Sequence, residues 1–88
     1  MAKSEKMKDI INKIWKDPPI LILGKNGVSQ NFINEFKVQL KRNKIIKIKI
    51  LKSAINNFDK NKIISEIASK GNANFLESRG NQAIFSKK

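Results

Sequence analysis

The chain is 88 residues long, carries 19 lysine and arginine residues against seven acidic residues, and has a formal net charge of +12. The length suits one domain with one modest core, and no apolar run reaches the ~18 residues of a membrane-spanning helix. The absence of cysteine, histidine and tyrosine excludes disulfides, thiolate metal sites and the usual general base of enzymes that work at neutral pH.

A first amphipathic helix is predicted to end before Pro18, because a residue that precedes proline avoids the α region. Apolar residues recur with helical spacing from Met7 to Trp15, which favours packing against a core over lying on an anionic membrane. Trp15 is accordingly predicted to be a core residue rather than a stacking platform for a base. Lys13 and Lys16 fall near the end of this helix, where they could contact a polyanion or complement the helix C-terminus.

A strand, a short glycine loop and a helix N-terminus follow. The apolar run Ile20–Leu23 predicts a central strand that is buried on both faces, and Ser29 predicts the N-cap of a second helix. Between them lie Gly24, Lys25, Asn26 and Gly27. Such an arrangement presents backbone N–H groups to a phosphate, and glycine lacks the Cβ that would keep a sugar-phosphate backbone away.

Each loop residue also has a plainer interpretation. The two glycines could form an ordinary βα turn, and the loop lacks the longer spacing of a nucleotide-binding P-loop. Lys25 favours phosphate contact because it adds a positive charge. Asn26 could contact the ligand or could bond its own backbone in an Asx turn.

The second helix and the second strand each carry lysines outside their apolar faces. Ile33, Phe36 and Leu40 form the inward stripe of the helix. Its outer face carries Lys37, Lys41 and Arg42, which we expect to extend the positive surface of the loop. The strand Ile45–Leu51 alternates in polarity, so Ile46, Ile48 and Ile50 share one face. Its Lys47 and Lys49 predict a phosphate track across the sheet, or alternatively protection of a strand edge.

The remainder of the chain predicts a third helix and a hairpin. Residues 52–57 give little signal and are expected to form a polar connection. Asp59 is the predicted N-cap of the third helix, and Gly71 is predicted to end it in the C′ position. Two strands, Ala73–Ser78 and Gln82–Ser86, are expected to meet at a type II′ turn.

The predicted element order is α-β-α-β-α-β-β in an α/β fold with a four-stranded mixed sheet. The β-α-β unit should be parallel and right-handed, and the final hairpin should be antiparallel. We expect the helices to cover one face of the sheet and the first helix to cap part of the rest.

Three blocks of this sequence resemble the CRM domain, the chloroplast RNA splicing and ribosome maturation domain, whose stand-alone prokaryotic form is the YhbY-like family. The blocks are Asp17–Ser29 with its proline pair and glycine loop, Asn43–Ile50, and Gly71 with the Gly80 hairpin. The resemblance implies RNA binding through the loop and adjoining basic surfaces. It also implies a fold similar to the C-terminal domain of translation initiation factor three. Bacterial relatives associate with precursors of the large ribosomal subunit, and plant relatives act in group II intron splicing.

Together, composition and resemblance predict a cytoplasmic, monomeric RNA-binding domain over residues 1–88, without catalytic activity, cofactor, small-molecule substrate or membrane partner. The expected ligand is ribosomal RNA in a pre-ribosomal particle. The expected RNA contacts are Gly24, Lys25, Asn26, Gly27, Lys13, Lys16, Lys37, Lys41, Arg42, Lys47 and Lys49. Two alternatives stay open: a general RNA or DNA chaperone, and a peripheral module on anionic membranes.

Overall fold

The structure is a computed structural model that describes residues 2–57 and 59–88. Its helices are α1 (Ala2–Lys16), α2 (Gln30–Asn43), α3 (Lys52–Asn57) and α4 (Lys60–Lys70). Its strands are β1 (Leu21–Leu23), β2 (Ile45–Ile50), β3 (Ala73–Arg79) and β4 (Gln82–Lys87). The strands form a four-stranded sheet in the order β1-β2-β4-β3, with β1 parallel to β2 and the other pairs antiparallel. This confirms the predicted α/β fold with a mixed sheet.

The core lies between the sheet and the pair of helices α2 and α4. Ile46, Ile48 and Ile50 project to this side of β2 and are almost completely buried, as their alternation predicts. They pack in one cluster with Phe36 of α2, whose ring meets that of Phe85 in β4 edge-on at a centroid distance of 5.4 Å. Such a perpendicular aromatic pair stabilises the core beyond its buried area and holds α2 across the middle of the sheet.

The first strand lies at the edge of the sheet, which corrects the prediction of a central strand. It is only three residues long and pairs with β2 alone. Leu23 is buried in the core, whereas Ile22 projects to the opposite face and is 57% exposed. An apolar run does not reveal which face of a strand is covered, and here helix α1 leaves Ile22 uncovered.

Helix α1 packs on the second face of the sheet through its C-terminal half. Trp15 is half-buried there, and its indole Nε1 donates a hydrogen bond to the Glu77 carboxylate. The Arg79 guanidinium lies 4.8 Å from the centroid of the indole ring. Met7 and Ile10, in the preceding turns, remain exposed. The apolar stripe of α1 is therefore only partly used for packing.

Residues 52–57 form helix α3, not the polar connection expected from the sequence. The Leu51 carbonyl accepts hydrogen bonds from the N–H groups of Ala54 at 3.0 Å and Ile55 at 3.2 Å. Ala54 is completely buried. A six-residue helix is too short to show a periodic apolar pattern, and it forms here because tertiary packing covers Ala54. The element order is therefore α-β-α-β-α-α-β-β.

Helix α4 begins as predicted but ends differently. The Asp59 carboxylate accepts from the Asn61 N–H at 2.8 Å, which confirms Asp59 as the N-cap. At the other end Gly71 has a φ of −84°, and the left-handed position falls on Asn72 with a φ of +51°. Glycine is needed at position 71 for another reason: an added Cβ would lie 2.4 Å from the Phe36 ring. The helix end is thus set by its close approach to α2.

The β3–β4 hairpin matches the prediction closely. A two-residue loop, Gly80 and Asn81, joins the strands, and Gly80 has the positive φ, +56°, that the first loop position of a type II′ turn requires. The hairpin turn also contacts the neighbouring strand, because the Ile50 N–H donates to the Asn81 carbonyl at 2.6 Å.

Replacing Gly71 with alanine is expected to lower the free energy of unfolding by about 1–3 kcal/mol, because the Phe36 ring must move to admit the new methyl group. Urea unfolding followed by the fluorescence of the single tryptophan measures this change. Gly24→Ala is the matched control, since nothing lies within 4 Å of its Cβ position, and it should cost less than ~0.5 kcal/mol. A parental urea midpoint for Gly71→Ala would contradict the proposed steric constraint.

Candidate nucleic-acid interface

The GxxG loop, residues 24–27, is a closed four-residue turn. The Gly27 N–H donates to the Gly24 carbonyl at 3.1 Å, and Gly27 has a φ of +70°, which favours glycine at this position. Lys25 and Asn26 occupy the two central positions and are both exposed. Among the described residues, the Asn26 side chain makes no hydrogen bond, so the Asx-turn interpretation finds no support. The turn therefore displays one cation and one amide to solvent.

The N-terminus of α2 adjoins this loop and carries positive polarity. The Ser29 hydroxyl accepts from the Phe32 N–H at 3.1 Å, which confirms Ser29 as the N-cap. The first helical bond runs from the Ile33 N–H to the Ser29 carbonyl, so the N–H groups of Gln30 and Asn31 precede the helical ladder. The first turn contains no acidic residue. An anion at this position would meet the positive end of the helix dipole without competition from a carboxylate.

Further cations lie at the end of the sheet where β1 and β2 both terminate and where the GxxG loop begins. The Leu51 N–H donates to the Leu23 carbonyl at 2.9 Å, so the start of α3 lies beside the start of the GxxG loop. Lys52, the first residue of α3, is exposed there. Lys60 reaches the hairpin at this edge, where its ammonium donates to the Gly80 carbonyl at 2.8 Å. Lys52 is not among the RNA contacts expected from the sequence, although its position directly after a parallel strand could have indicated it as a candidate.

Lys49 is the exposed lysine of β2. In the sheet it is paired with Ile22 of β1 on one side and with Gln82 of β4 on the other. It is the penultimate residue of β2, at the end of the strand that lies beside the GxxG loop. Its side chain is on the face opposite the core. The geometry leaves it accessible to a ligand that reaches round from the GxxG loop.

Lys47 has a different role, which corrects its assignment to a phosphate track. Only 4% of its surface is exposed, because α1 lies over it. Its ammonium donates hydrogen bonds to the carbonyls of Trp15, at 3.1 Å, and Asp17. These carbonyls end helix α1, so Lys47 neutralises the negative end of the helix dipole and fastens α1 to the sheet.

The basic residues of α2 do not all share one face. At about 100° per residue, Gln30, Lys37 and Lys41 lie along one stripe, while Arg42 points about 100° away from Lys41. All three cations are exposed. The stripe with Lys37 and Lys41 starts at the helix end that adjoins the GxxG loop. Arg42 faces a different side of the molecule.

Lys13 and Lys16 lie away from the loop. They are exposed in the last turn of α1, which leads into the start of β1, whereas the GxxG loop follows the end of that strand. Lys13 borders an apolar groove that also contains Pro18 and Lys44. The structure therefore does not join these two lysines to the loop surface.

A family model for the CRS1 / YhbY (CRM) domain matches residues 3–87, nearly the whole chain. The chain belongs to the CRM domain family. Its fold is similar to that of the hypothetical protein SAV1595 from Staphylococcus aureus, whose solution structure is described as that of a candidate RNA-binding protein. The TM-score is 0.74 at 20% sequence identity, and the match covers 92% of this chain and 82% of that one. No match was found among curated proteins.

Two kinds of feature are absent from the described residues of this CRM domain. The described residues contain no group of three or more acidic side chains that could hold a metal ion. In residues 2–57 and 59–88, no helix is long and apolar enough to cross a membrane. What the molecule does display is a set of exposed lysines around a glycine turn and a helix N-terminus.

Replacing Lys47 with methionine is expected to destabilise the protein by about 1–3 kcal/mol, because two carbonyls at the end of α1 lose a charged donor. Lys49→Met removes the same charge from the same strand at an exposed position and should change stability by less than ~0.5 kcal/mol. Urea unfolding measures both. Equal midpoints for the two variants would show that Lys47 does not hold α1 in place.

Proposed function

We propose that this CRM domain binds RNA by clamping its phosphate backbone with the GxxG loop and the N-terminus of α2. The observation that carries the proposal is the exposed Lys25–Asn26 turn beside a helix N-terminus that has no acidic residue in its first turn. Family membership and the description of SAV1595 as a candidate RNA-binding protein support RNA as the polyanion. The net charge of +12 supports the same class of ligand.

The proposed binding mode relies on phosphates more than on bases. The cations available near the loop are lysines, which bind phosphate as point charges. Trp15, which could have stacked on a base, is half-buried between the sheet and Arg79. Contacts of this kind fix the position of the RNA backbone and carry little sequence information. We therefore propose recognition of RNA shape, with Lys49 and the lysines of α2 extending the contact beyond the loop.

At a finer level, we propose that the ligand is ribosomal RNA of a large-subunit precursor, bound by a cytoplasmic monomer without catalytic activity. This follows from what the family resemblance implies for bacterial relatives. Crosslinking the protein to RNA in cells and sequencing the bound fragments tests it. Fragments drawn evenly from all cellular RNA would instead support a general chaperone. Flotation with anionic vesicles in the absence of RNA would support the membrane alternative.

The double substitution Lys25→Asp with Asn26→Asp is expected to abolish RNA binding and leave the fold intact, because two carboxylates then face the phosphates at exposed positions. Binding is measured by fluorescence anisotropy, and folding by circular dichroism and urea unfolding. The matched control is Lys8→Asp with Asn12→Asp, which makes the same change in net charge at exposed positions of α1. A folded loop variant that binds like the parent would disprove the clamp.

The protein should also prefer RNA to duplex DNA of equal charge, since RNA offers 2′-hydroxyl groups and unpaired loops that duplex DNA lacks. Competition between the two nucleic acids at several salt concentrations measures this preference. Equal affinity at every salt concentration would favour a general polyanion chaperone.

A further inference from the structure

A lysine-lined groove continues from the N-terminus of α2 toward the opposite end of the sheet. Its first part lies between Gln30 at the start of α2 and Lys70 at the end of α4. Its second part lies between Lys41 in the last turn of α2 and Lys87 at the end of β4. Lys37 lines both parts, so the two form one path along α2.

The groove is strongly positive. Among the described residues that line it, none is acidic. Lys70 forms an ion pair with Glu66 at 2.7 Å, but both side chains are about half-exposed, at 55% and 43%. Such surface pairs contribute little and are screened by salt, so a phosphate can compete for Lys70. Lys88 borders the groove beside Lys87 and adds a further cation.

Contacts of α4 and β4 with α2 fix where these lysines lie. Gly71 allows the end of α4 to touch the Phe36 ring of α2, which places Lys70 across from the lysine stripe of α2. The Lys87 N–H donates to the Lys44 carbonyl at 2.7 Å, which ties the end of β4 to the C-cap of α2. The positions of the lysine backbones are therefore fixed by the fold, although Lys70 and Lys87 lie far apart in the sequence.

We propose that this groove is a second phosphate-binding surface, with Lys70 and Lys87 as its new contacts, that engages the same RNA as the GxxG loop. The inference rests on the proposed function and extends it. Lys70 borders the part of the groove that begins at Gln30, next to the loop, whereas Lys87 borders the part at Lys41. From Gln30 to Lys41 the helix advances about 16 Å, so the loop and the Lys87 end of the groove contact phosphates that are well separated along the RNA. An RNA can contact both sites only if its phosphate backbone passes through both, so the two contacts together select for RNA shape.

The test compares two variants that lose equal charge. The groove variant is Lys70→Gln with Lys87→Gln. The control is Lys8→Gln with Lys62→Gln, both of which are exposed outside the groove. Affinities are measured across a salt series for an RNA hairpin of about 16 base pairs and for a single strand of about 4 nucleotides. Urea midpoints equal to that of the parent establish that each variant is folded, and the two single groove variants are measured alongside.

The groove variant should bind the hairpin with a salt slope about 1.4–1.8 smaller than that of the parent, since each lost phosphate contact removes about 0.7–0.9. If the groove variant and the parent bind the hairpin equally at ~1 M salt, the variant should bind it roughly 25- to 60-fold more weakly than the parent at ~0.1 M salt. The single variant Lys87→Gln, at the far end of the groove, should bind the short strand at the loop as tightly as the single control Lys8→Gln does.

Each other outcome overturns one specific claim. Parental hairpin binding by the groove variant disproves the second surface, and the proposed function stands if Lys25→Asp with Asn26→Asp still abolishes binding. Equal losses of affinity of Lys87→Gln for the hairpin and the short strand disprove the two-point arrangement. Parental binding by the loop variant disproves the proposed function itself, whatever the groove variant does.

Discussion

The short parallel pairing of β1 with β2 determines where every part of the interface lies. Leu21 to Leu23 align with Ile48 to Ile50, and the Leu51 N–H then bonds the Leu23 carbonyl. Because both strands end at the same edge, the GxxG loop and the start of α3 lie side by side. Because β2 is parallel to β1, the chain must cross back over the sheet before it enters β2. Helix α2 makes this crossover, so its N-terminus lies at the GxxG loop and its lysine stripe extends from there toward the other end of the sheet.

The many lysines of this chain have distinct physical roles. Lys47 is buried under α1 and bonds two carbonyls at the end of that helix. Lys60 bonds the carbonyl of the hairpin glycine. Lys25, Lys37 and Lys41 remain exposed around the loop and along α2. A high net charge opposes compaction through self-repulsion, and the burial of one lysine against helix carbonyls turns part of that charge into an interaction that stabilises the fold.

The proposed interface is a lysine-rich surface on a fold that this chain shares with SAV1595. At 20% identity, the likeness to SAV1595 concerns the path of the backbone. The exposed turn and the unopposed N-terminus of α2 are the features of this sequence that support phosphate binding, and family membership supports RNA as the ligand. A surface built from lysines on rigid elements reads the arrangement of phosphates. Its selectivity would come from the distance between contact points, which the packing of α4 and β4 against α2 sets.

The sequence by itself determined the local features: the α/β pattern, the N-caps Ser29 and Asp59, the Gly80 turn, and the inward face of β2. Each depends on residues within a few positions of one another, so spacing and residue type suffice to predict it. Tertiary structure alone decided that β1 lies at an edge, that residues 52–57 form a helix, that Lys47 is buried, and that Lys70 and Lys87 border the same groove. These features depend on contacts between residues distant in the chain, and a pattern of polarity does not record which element covers which face.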